Sequence, residues 1–171
     1  AFNLNYSEVQ GKAFAGIVGD RYEAVKREGT IVGEKSSYAY AFQWDNYNAA
    51  KLLYNLQSKG IICKVALSSF NAEGKMFEEG TIVFSVKNQV ISEQKLNELI
   101  YALSNETGVD VYSLQSGYTT GVNLGSPEIV NLTKPKIAIL SGSGVSSYDV
   151  GETWHLFDTR LDIPVSRIDI D

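Results

Sequence analysis

The sequence predicts an α/β fold, in which successive βαβ units build a parallel or mostly parallel sheet with helices on both faces. Short apolar runs alternate with segments of helical period three times along the chain, and this alternation is typical of parallel sheets. The apolar runs are nearly continuous, as expected for strands that are covered on both sides. With 171 residues, the chain suffices for one domain, or for one small domain and part of another.

Composition and charge disfavour several classes of function. Hydrophobic residues make up 44% and charged residues 20% of the chain, as in ordinary soluble globular proteins. The net charge of −5 disfavours nucleic acid as a partner, because phosphate backbones bind positively charged surfaces. No apolar run approaches the roughly 18 residues of a membrane span. One histidine and one cysteine cannot supply the ligand set of a structural zinc site, so no cofactor is expected within the chain itself.

The N-terminal segment, residues 1–36, has a mixed and irregular pattern. Lys12 to Val18 indicate a strand, and Asp20 to Arg27 indicate a short helix that stops before Gly29. The clear α/β pattern starts only at Ser37, and residues 37–113 are predicted to form α/β accessory units.

The first βαβ unit begins with an aromatic strand over Tyr38 to Trp44. Asp45-Asn46 favour a helix N-cap, and apolar residues at helical spacing predict a helix from about Asn46 to Ser58. Lys59 would place a positive charge near the C-terminus of this helix, and Gly60 is expected to end the helix in the left-handed conformation. The apolar run from Ile61 to Ala66 is then the second strand of the unit.

The second unit repeats this order. Thr81 to Val86 predict a strand, and Ser92 is expected to cap a helix whose apolar stripe runs to Leu103. Gly108 is expected to end that helix, and Val109 to Tyr112 follow as a short strand.

A predicted linker, residues 114–135, separates these units from the last part of the chain because it is rich in Gly, Ser, Thr and Asn and has no period. The third unit, residues 136–171, starts with a strand over Lys136 to Leu140 and continues as a helix whose capping box begins at Ser146. It finishes in a strand over Ile163 to Ile170. A doubly wound sheet normally continues beyond such a strand, so we expect this unit to be truncated.

A glycine-rich turn between the last predicted strand and helix is the candidate ligand or interface loop. Gly142-x-Gly144 has the setting of a dinucleotide-binding loop, whose amides and helix dipole can hold a phosphate. A third glycine is replaced by Ser147, and Asp169 ends the next strand about where a ribose-binding acid would lie. A plain tight turn is the alternative, since glycines there also have a steric use. The candidate residues are Gly142, Ser143, Gly144, Ser146, Ser147, Glu152 and His155.

Glu152 and His155 stand three residues apart on the predicted helix, and Asp158 continues their row. Glu-x-x-His is a metal-ligand spacing in helix bundles, but that use needs further carboxylates on another helix. A solvated polar stripe is the alternative. Cys63 lies in a predicted strand and is expected to be a buried structural thiol. No catalytic, cofactor-binding or metal-ligating residue is therefore assigned within the chain.

Several stretches of the chain resemble one known family. They are Tyr38-Ala39-Tyr40, Ala49 to Val65, Glu79 to Val83, Leu124 to Pro127, Leu132 to Leu140 and Gly142 to Asp158. Over about residues 37–171, the chain resembles the region that follows the catalytic domain in large bacterial zinc carboxypeptidases of the carboxypeptidase A type. In those proteins a class I glutamine amidotransferase-like domain is appended. The stretch from Ser146 to Asp158 is the most specific part of the resemblance.

The resemblance implies an amidotransferase-like, or flavodoxin-like, fold that starts at residue 136, a zinc peptidase domain upstream, and a secreted or periplasmic location. Those peptidases bind zinc through a His-x-x-Glu pair and a later histidine, whereas here the single histidine, His155, follows its glutamate. The Gly-x-Cys-x-Gly nucleophile of the amidotransferases does not occur in the chain either. The resemblance therefore implies a zinc enzyme as the parent protein, with the active site outside this chain.

These observations together predict a non-catalytic accessory region of a zinc metallocarboxypeptidase involved in proteolysis. Such a region serves as a scaffold or binds a peptide substrate or partner, and its first partner is its own upstream peptidase domain. The alternative is a small α/β domain that binds a nucleotide or another anion at residues 142–147. An open sheet edge would also allow a homodimer.

Overall fold

The computed structural model describes residues 19–20, 23 and 27–170. The strand expected over residues 12–18 lies outside the described residues, as does most of the helix expected over residues 20–27. Within the described part of the chain, no helix is both long enough and apolar enough to cross a lipid bilayer.

A six-stranded mixed sheet, the main sheet, forms the centre of the molecule. Only one pair of neighbouring strands, β1 (Ile31–Val32) with β7 (Val111–Leu114), is parallel, and every other neighbouring pair in this sheet is antiparallel. In spatial order the strands are β1 (Ile31–Val32), β7 (Val111–Leu114), β2 (Ala39–Phe42), β6 (Ile82–Ser85), β3 (Lys64–Ala66) and β9 (Ile129–Asn131).

The predicted parallel sheet with helices on both faces is therefore wrong. The helix α1 (Ala49–Ser58) does connect β2 to β3, but β6 lies between these two strands and runs antiparallel to both. The helix α2 (Glu93–Thr107) connects β6 to β7. The order β7-β2-β6-β3 with two crossover helices is the split βαβ, or ferredoxin-like, arrangement and not a flavodoxin-like one.

Both helices lie on one face of the main sheet. Leu52 and Leu56 of α1 and Leu96 and Ile100 of α2 are fully buried in one apolar cluster with residues of the sheet. The predicted ends of α2 are confirmed, because the Ser92 side chain accepts a hydrogen bond from the Lys95 N–H and the helix ends at a left-handed Gly108.

A small three-stranded sheet, rather than further helices, covers the other face. Its strands, in spatial order, are β5 (Lys75–Phe77), β4 (Phe70–Ala72) and β8 (Thr120–Gly121). The rings of Phe70 and Phe77 stack with centroids 5.0 Å apart and share an apolar cluster with Ala41 and Val83 of the main sheet. Both faces of the main sheet are thus apolar, which is why its strands have the composition of a parallel sheet.

A tight turn at Glu73-Gly74 makes the β4–β5 hairpin. Both residues have positive φ, 52° and 73°, which is the backbone of a type I′ hairpin turn. β8 and β9 both belong to the segment 114–135 that was expected to be a linker. They pair with β4 and β3, so this segment contributes strands to both sheets.

The C-terminal unit, residues 137–169, is a parallel βαβ unit. Its strands β10 (Ile137–Ser141) and β11 (Val165–Asp169) pair in parallel, as the sequence predicts for this part of the chain. The helix α3 (Ser147–Trp154) lies between them and continues into a π-helical turn over His155–Arg160. The Ser146 side chain caps α3 by accepting a hydrogen bond from the Asp149 N–H.

The C-terminal unit is joined to α1 by an apolar cluster and an ion pair. Tyr54 of α1 is buried with Leu161 and Ile163, which follow the π-helical turn. Beside them, the Lys51 ammonium contacts a carboxylate oxygen of Asp162 at 2.5 Å, and one of Glu106 in α2 at 3.4 Å. Lys51 is largely buried, and its hydrogen bond to Asp162 raises its pKa above the usual value of a lysine.

Lys51→Met tests this joint. Because the folded-state pKa of Lys51 is raised, its contribution to stability is fully present below the unfolded value near 10.5 and is lost as the pH rises through the folded pKa. At neutral pH the variant should lose about 1 kcal/mol of unfolding free energy relative to the native chain. Urea denaturation across pH measures the difference, which should shrink above about pH 10.5.

The matched control is Lys59→Met, which removes an exposed lysine just beyond the end of α1. Equal effects of the two substitutions, or a difference that grows at alkaline pH, would contradict the role assigned to Lys51.

Candidate functional site

The loop between β10 and α3 is shaped by its two glycines. Gly142 and Gly144 have φ values of 116° and 80°, which side chains with a Cβ rarely adopt. The Val145 N–H donates to the Gly142 carbonyl at 3.1 Å and closes the turn. Both glycines are therefore required by the turn itself, whether or not it holds a ligand.

Part of the predicted loop lines an open cavity of about 700 Å³, here called the C-terminal cavity. Gly142 and Ser147 of the predicted set line it, whereas Gly144 and Ser143 do not, and Ser146 caps α3. The full lining is Ser141, Gly142, Val145, Ser147, Val150, Gly151, Trp154, Val165 and Arg167.

Arg167 is the one charged residue in this lining, and it is not among the site residues predicted from the sequence. It stands in β11 opposite Ile139 of β10, on the face that also carries Val165. The sequence holds a signal for this position: Val165 and Arg167 are two residues apart, and side chains two apart in a strand lie on the same face. A guanidinium that lines a cavity is suited to hold a carboxylate or phosphate.

Glu152 and His155 are both exposed and lie outside the lining of the C-terminal cavity. Asp158 is also exposed, so the three side chains form the solvated polar row that was one of the two alternatives. Across residues 19–20, 23 and 27–170, no three His, Cys, Asp or Glu side chains come together as a group that could hold a metal ion.

The Cys63 thiol is buried between the main sheet and its helices. Burial raises its pKa to about 12, and its Sγ lies 3.7 Å from the Ile61 carbonyl oxygen. His155, by contrast, is exposed on the C-terminal unit. Cys63 therefore stays a protonated structural thiol at neutral pH.

A second open cavity, of about 560 Å³, lies on the helix-free face of the main sheet where the small sheet leaves it uncovered. We call it the sheet basin. Its charged lining residues are Lys64 and Lys87. The remaining lining residues are Ser37, Tyr38, Ala39, Val83, Ser85, Asn88, Gln115, Leu124 and Gly125. Neither lysine is among the site residues predicted from the sequence.

Thiol labelling tests the state of Cys63. At neutral pH the native chain should react with a disulfide reagent at least about a hundredfold more slowly than the urea-unfolded chain, because only the thiolate reacts. The unfolded chain should show an inflection of rate near the ordinary thiol pKa of 9.0, and the native chain should not. Rapid native labelling at neutral pH would show that the thiol is accessible and ionised.

Comparison with known proteins assigns no family to the chain. No protein-family model, no curated protein and no solved structure matches it at a significant level. The resemblance to zinc carboxypeptidases therefore stays a prediction from the sequence, and function has to be argued from the fold and the two cavities.

Proposed function

We propose that this chain is a non-catalytic accessory region of a secreted or periplasmic bacterial zinc metallocarboxypeptidase, and that it docks onto the peptidase domain encoded upstream. Its role in proteolysis is to serve as a scaffold for that domain or to hold a peptide substrate near it. In the parent protein, zinc-activated water in the peptidase domain would hydrolyse the C-terminal peptide bond.

One observation carries this proposal: the outer face of the C-terminal unit is apolar and uncovered. Leu140 of β10 and Ile168 of β11 are paired on this face and are 54% and 49% exposed. Ile170 continues the row just beyond β11 and is also 49% exposed. Parallel strands are normally buried on both faces, so this surface is suited to contact with another folded unit.

The joint at Lys51 and Tyr54 supports the scaffold role. It holds the C-terminal unit against α1 through a buried apolar cluster and an ion pair, and so keeps the apolar face in a fixed position relative to the main sheet. A docked partner would then be held by the whole molecule rather than by two isolated strands.

Association with the upstream peptidase domain tests the proposal. Ile168→Asp should weaken binding of the chain to that domain at least about tenfold, because a carboxylate would be desolvated in an apolar contact. The matched control is Val90→Asp, at a position that is 72% exposed on the main-sheet part of the molecule. Titration calorimetry with the two separately purified proteins measures both.

The proposal fails if the gene encodes no His-x-x-Glu peptidase upstream, if Ile168→Asp leaves the affinity unchanged, or if the purified chain itself releases C-terminal residues from a peptide. Concentration-dependent self-association that Ile168→Asp abolishes, with no binding of the peptidase domain, would assign the face to a homodimer instead.

A second candidate function is the binding of a nucleotide or another anion at residues 142–147. The observation that favours it is Arg167, whose side chain lines the C-terminal cavity together with Gly142 and Ser147. Asp169, the expected ribose-binding acid, is paired with Ser141 at the end of β11 and is not part of the lining.

Thermal unfolding in the presence of AMP, ADP and inorganic phosphate tests this second function. A ligand at about a hundred times its Kd adds about 2.7 kcal/mol and raises Tm by roughly 5–10 °C. Arg167→Gln should remove the shift, and so should Gly151→Phe, at a lining position where an added Cβ meets nothing within 4 Å. Arg160→Gln, on the exposed π-helical turn, is the control that should keep it. No shift with any of the three ligands would exclude the function.

A further inference from the structure

We propose that the sheet basin binds a small organic anion, with an apolar body on the floor of the basin and a carboxylate or phosphate group between Lys64 and Lys87. This site is separate from the docking face and from the C-terminal cavity. Its existence does not depend on the identity of the parent protein.

The strand register places the floor and one of the lysines on the same face of the main sheet. Lys64 in β3 is directly opposite Val83 in β6, and Ser85 in β6 is opposite Ala39 in β2. Residues that face each other in neighbouring strands share a face, as do residues two apart in one strand. Lys64, Val83, Ser85 and Ala39 therefore converge on the basin from three adjacent strands.

The charge of the basin is opposite to that of the chain as a whole. Its two charged lining residues are both lysines, in a chain whose net charge is −5. Among the residues that the structure describes, neither Lys64 nor Lys87 takes part in an ion pair. Lys64 is half-buried at the residue level and Lys87 is exposed. The basin is thus a local site of attraction for an anion.

The turn that carries Lys87 is fixed by hydrogen bonds. The Ser85 hydroxyl donates to the Lys87 carbonyl at 2.8 Å, and the Gln89 side chain donates to the Ser85 carbonyl at 2.8 Å. Because both bonds join the turn to the end of β6, the backbone that bears Lys87 is held at the rim of the basin.

The opposite wall is fixed by Ser36, which is fully buried. Its hydroxyl donates to the Leu114 carbonyl at 2.6 Å and accepts from the Tyr38 N–H at 2.9 Å. The Tyr38 ring stands beside Gly117, where it occupies the space that a side chain would need. A half-exposed aromatic ring held in this way provides an apolar wall with a hydroxyl at its tip.

The chemistry of the lining defines the class of ligand. Ala39, Val83 and Leu124 offer an apolar floor, and the Lys64 and Lys87 ammonium groups offer charge-assisted hydrogen bonds. A volume of about 560 Å³ lies within the range of small-molecule sites. The basin therefore suits an aryl or alkyl carboxylate or a phosphate monoester, and does not favour a neutral or cationic analogue.

Titration calorimetry of the full chain with four probes tests the site: cinnamate, phenyl phosphate, neutral cinnamamide and inorganic phosphate. We expect cinnamate or phenyl phosphate to bind at least about tenfold more tightly than cinnamamide, and inorganic phosphate to bind more weakly than the better organic anion. The first two probes distinguish a carboxylate ligand from a phosphate ligand. Binding of cinnamamide as tight as that of the better organic anion, or no binding of either organic anion, would overturn the proposal.

Two variants locate the binding in the basin. Lys64→Gln combined with Lys87→Gln should weaken the anion at least about tenfold, whereas Lys59→Gln combined with Lys95→Gln, at two exposed positions outside the lining, should not. Gly125→Trp fills the basin from a position where an added Cβ meets nothing within 4 Å. It should abolish binding while circular dichroism and Tm stay unchanged. Anion binding that survives either basin variant in folded protein would place the ligand elsewhere.

Discussion

The buried phenol of Tyr40 connects the main sheet, the helix layer and the rim of the sheet basin. Its ring stacks on Phe84 in the neighbouring strand, with centroids 5.9 Å apart. Its hydroxyl donates to the Asn97 side chain in α2 at 2.5 Å and accepts from the Ser36 N–H at 3.1 Å. Burial raises the pKa of Tyr40, so the phenol keeps the proton that it donates to Asn97. A buried polar group is tolerated only when it is hydrogen-bonded. Here one bond joins β2 to α2, and the other joins β2 to the backbone of Ser36.

The sheet basin depends on this arrangement. Ser36 reaches from the Tyr40 hydroxyl to the end of β7, and its own hydroxyl sets the position of Tyr38 at the basin wall. The apolar floor exists because the small sheet, with its stacked Phe70 and Phe77, covers only part of the helix-free face. The same packing that stabilises the fold therefore leaves a preformed opening, and a preformed site avoids the cost of ordering its walls when a ligand binds.

The sequence predicted the caps of α2 and α3 correctly, but not the N-cap of α1, which begins at Ala49 rather than near Asn46, nor the order of the strands. The capping of α2 by Ser92 and Gly108, and of α3 by Ser146, depends on neighbouring residues alone, and these predictions are confirmed. Strand order depends on partners distant in sequence, and apolar strands of a covered antiparallel sheet have the same composition as parallel ones. The Glu73-Gly74 turn, which makes the β4–β5 hairpin, is a local signal of antiparallel pairing, but no prediction was made for it.

The positively charged residues of the C-terminal cavity and the sheet basin were not predicted, for a related reason. Lys64 and Arg167 both occur in short strands, where a charged residue has the pattern of a solvent-facing position. Only the register shows that Lys64 shares its face with Val83, and that Arg167 lies opposite Ile139 beside the glycine loop. The glycines of that loop were visible in the sequence, but their positive φ values give them a steric role that ligand binding does not require.

A chain with a net negative charge, in which the sheet basin and the C-terminal cavity carry positively charged residues, selects ligands by size as well as by charge. At physiological salt the screening length is about 8 Å, so the net charge of −5 repels an extended polyanion whose charges lie along the surface. A single carboxylate or phosphate that enters the sheet basin comes within direct reach of Lys64 and Lys87, where screening by salt is weaker. The same two lysines on a neutral surface would attract both kinds of anion. The acidity of the remaining surface therefore supports the assignment of the basin to small anions rather than to nucleic acid.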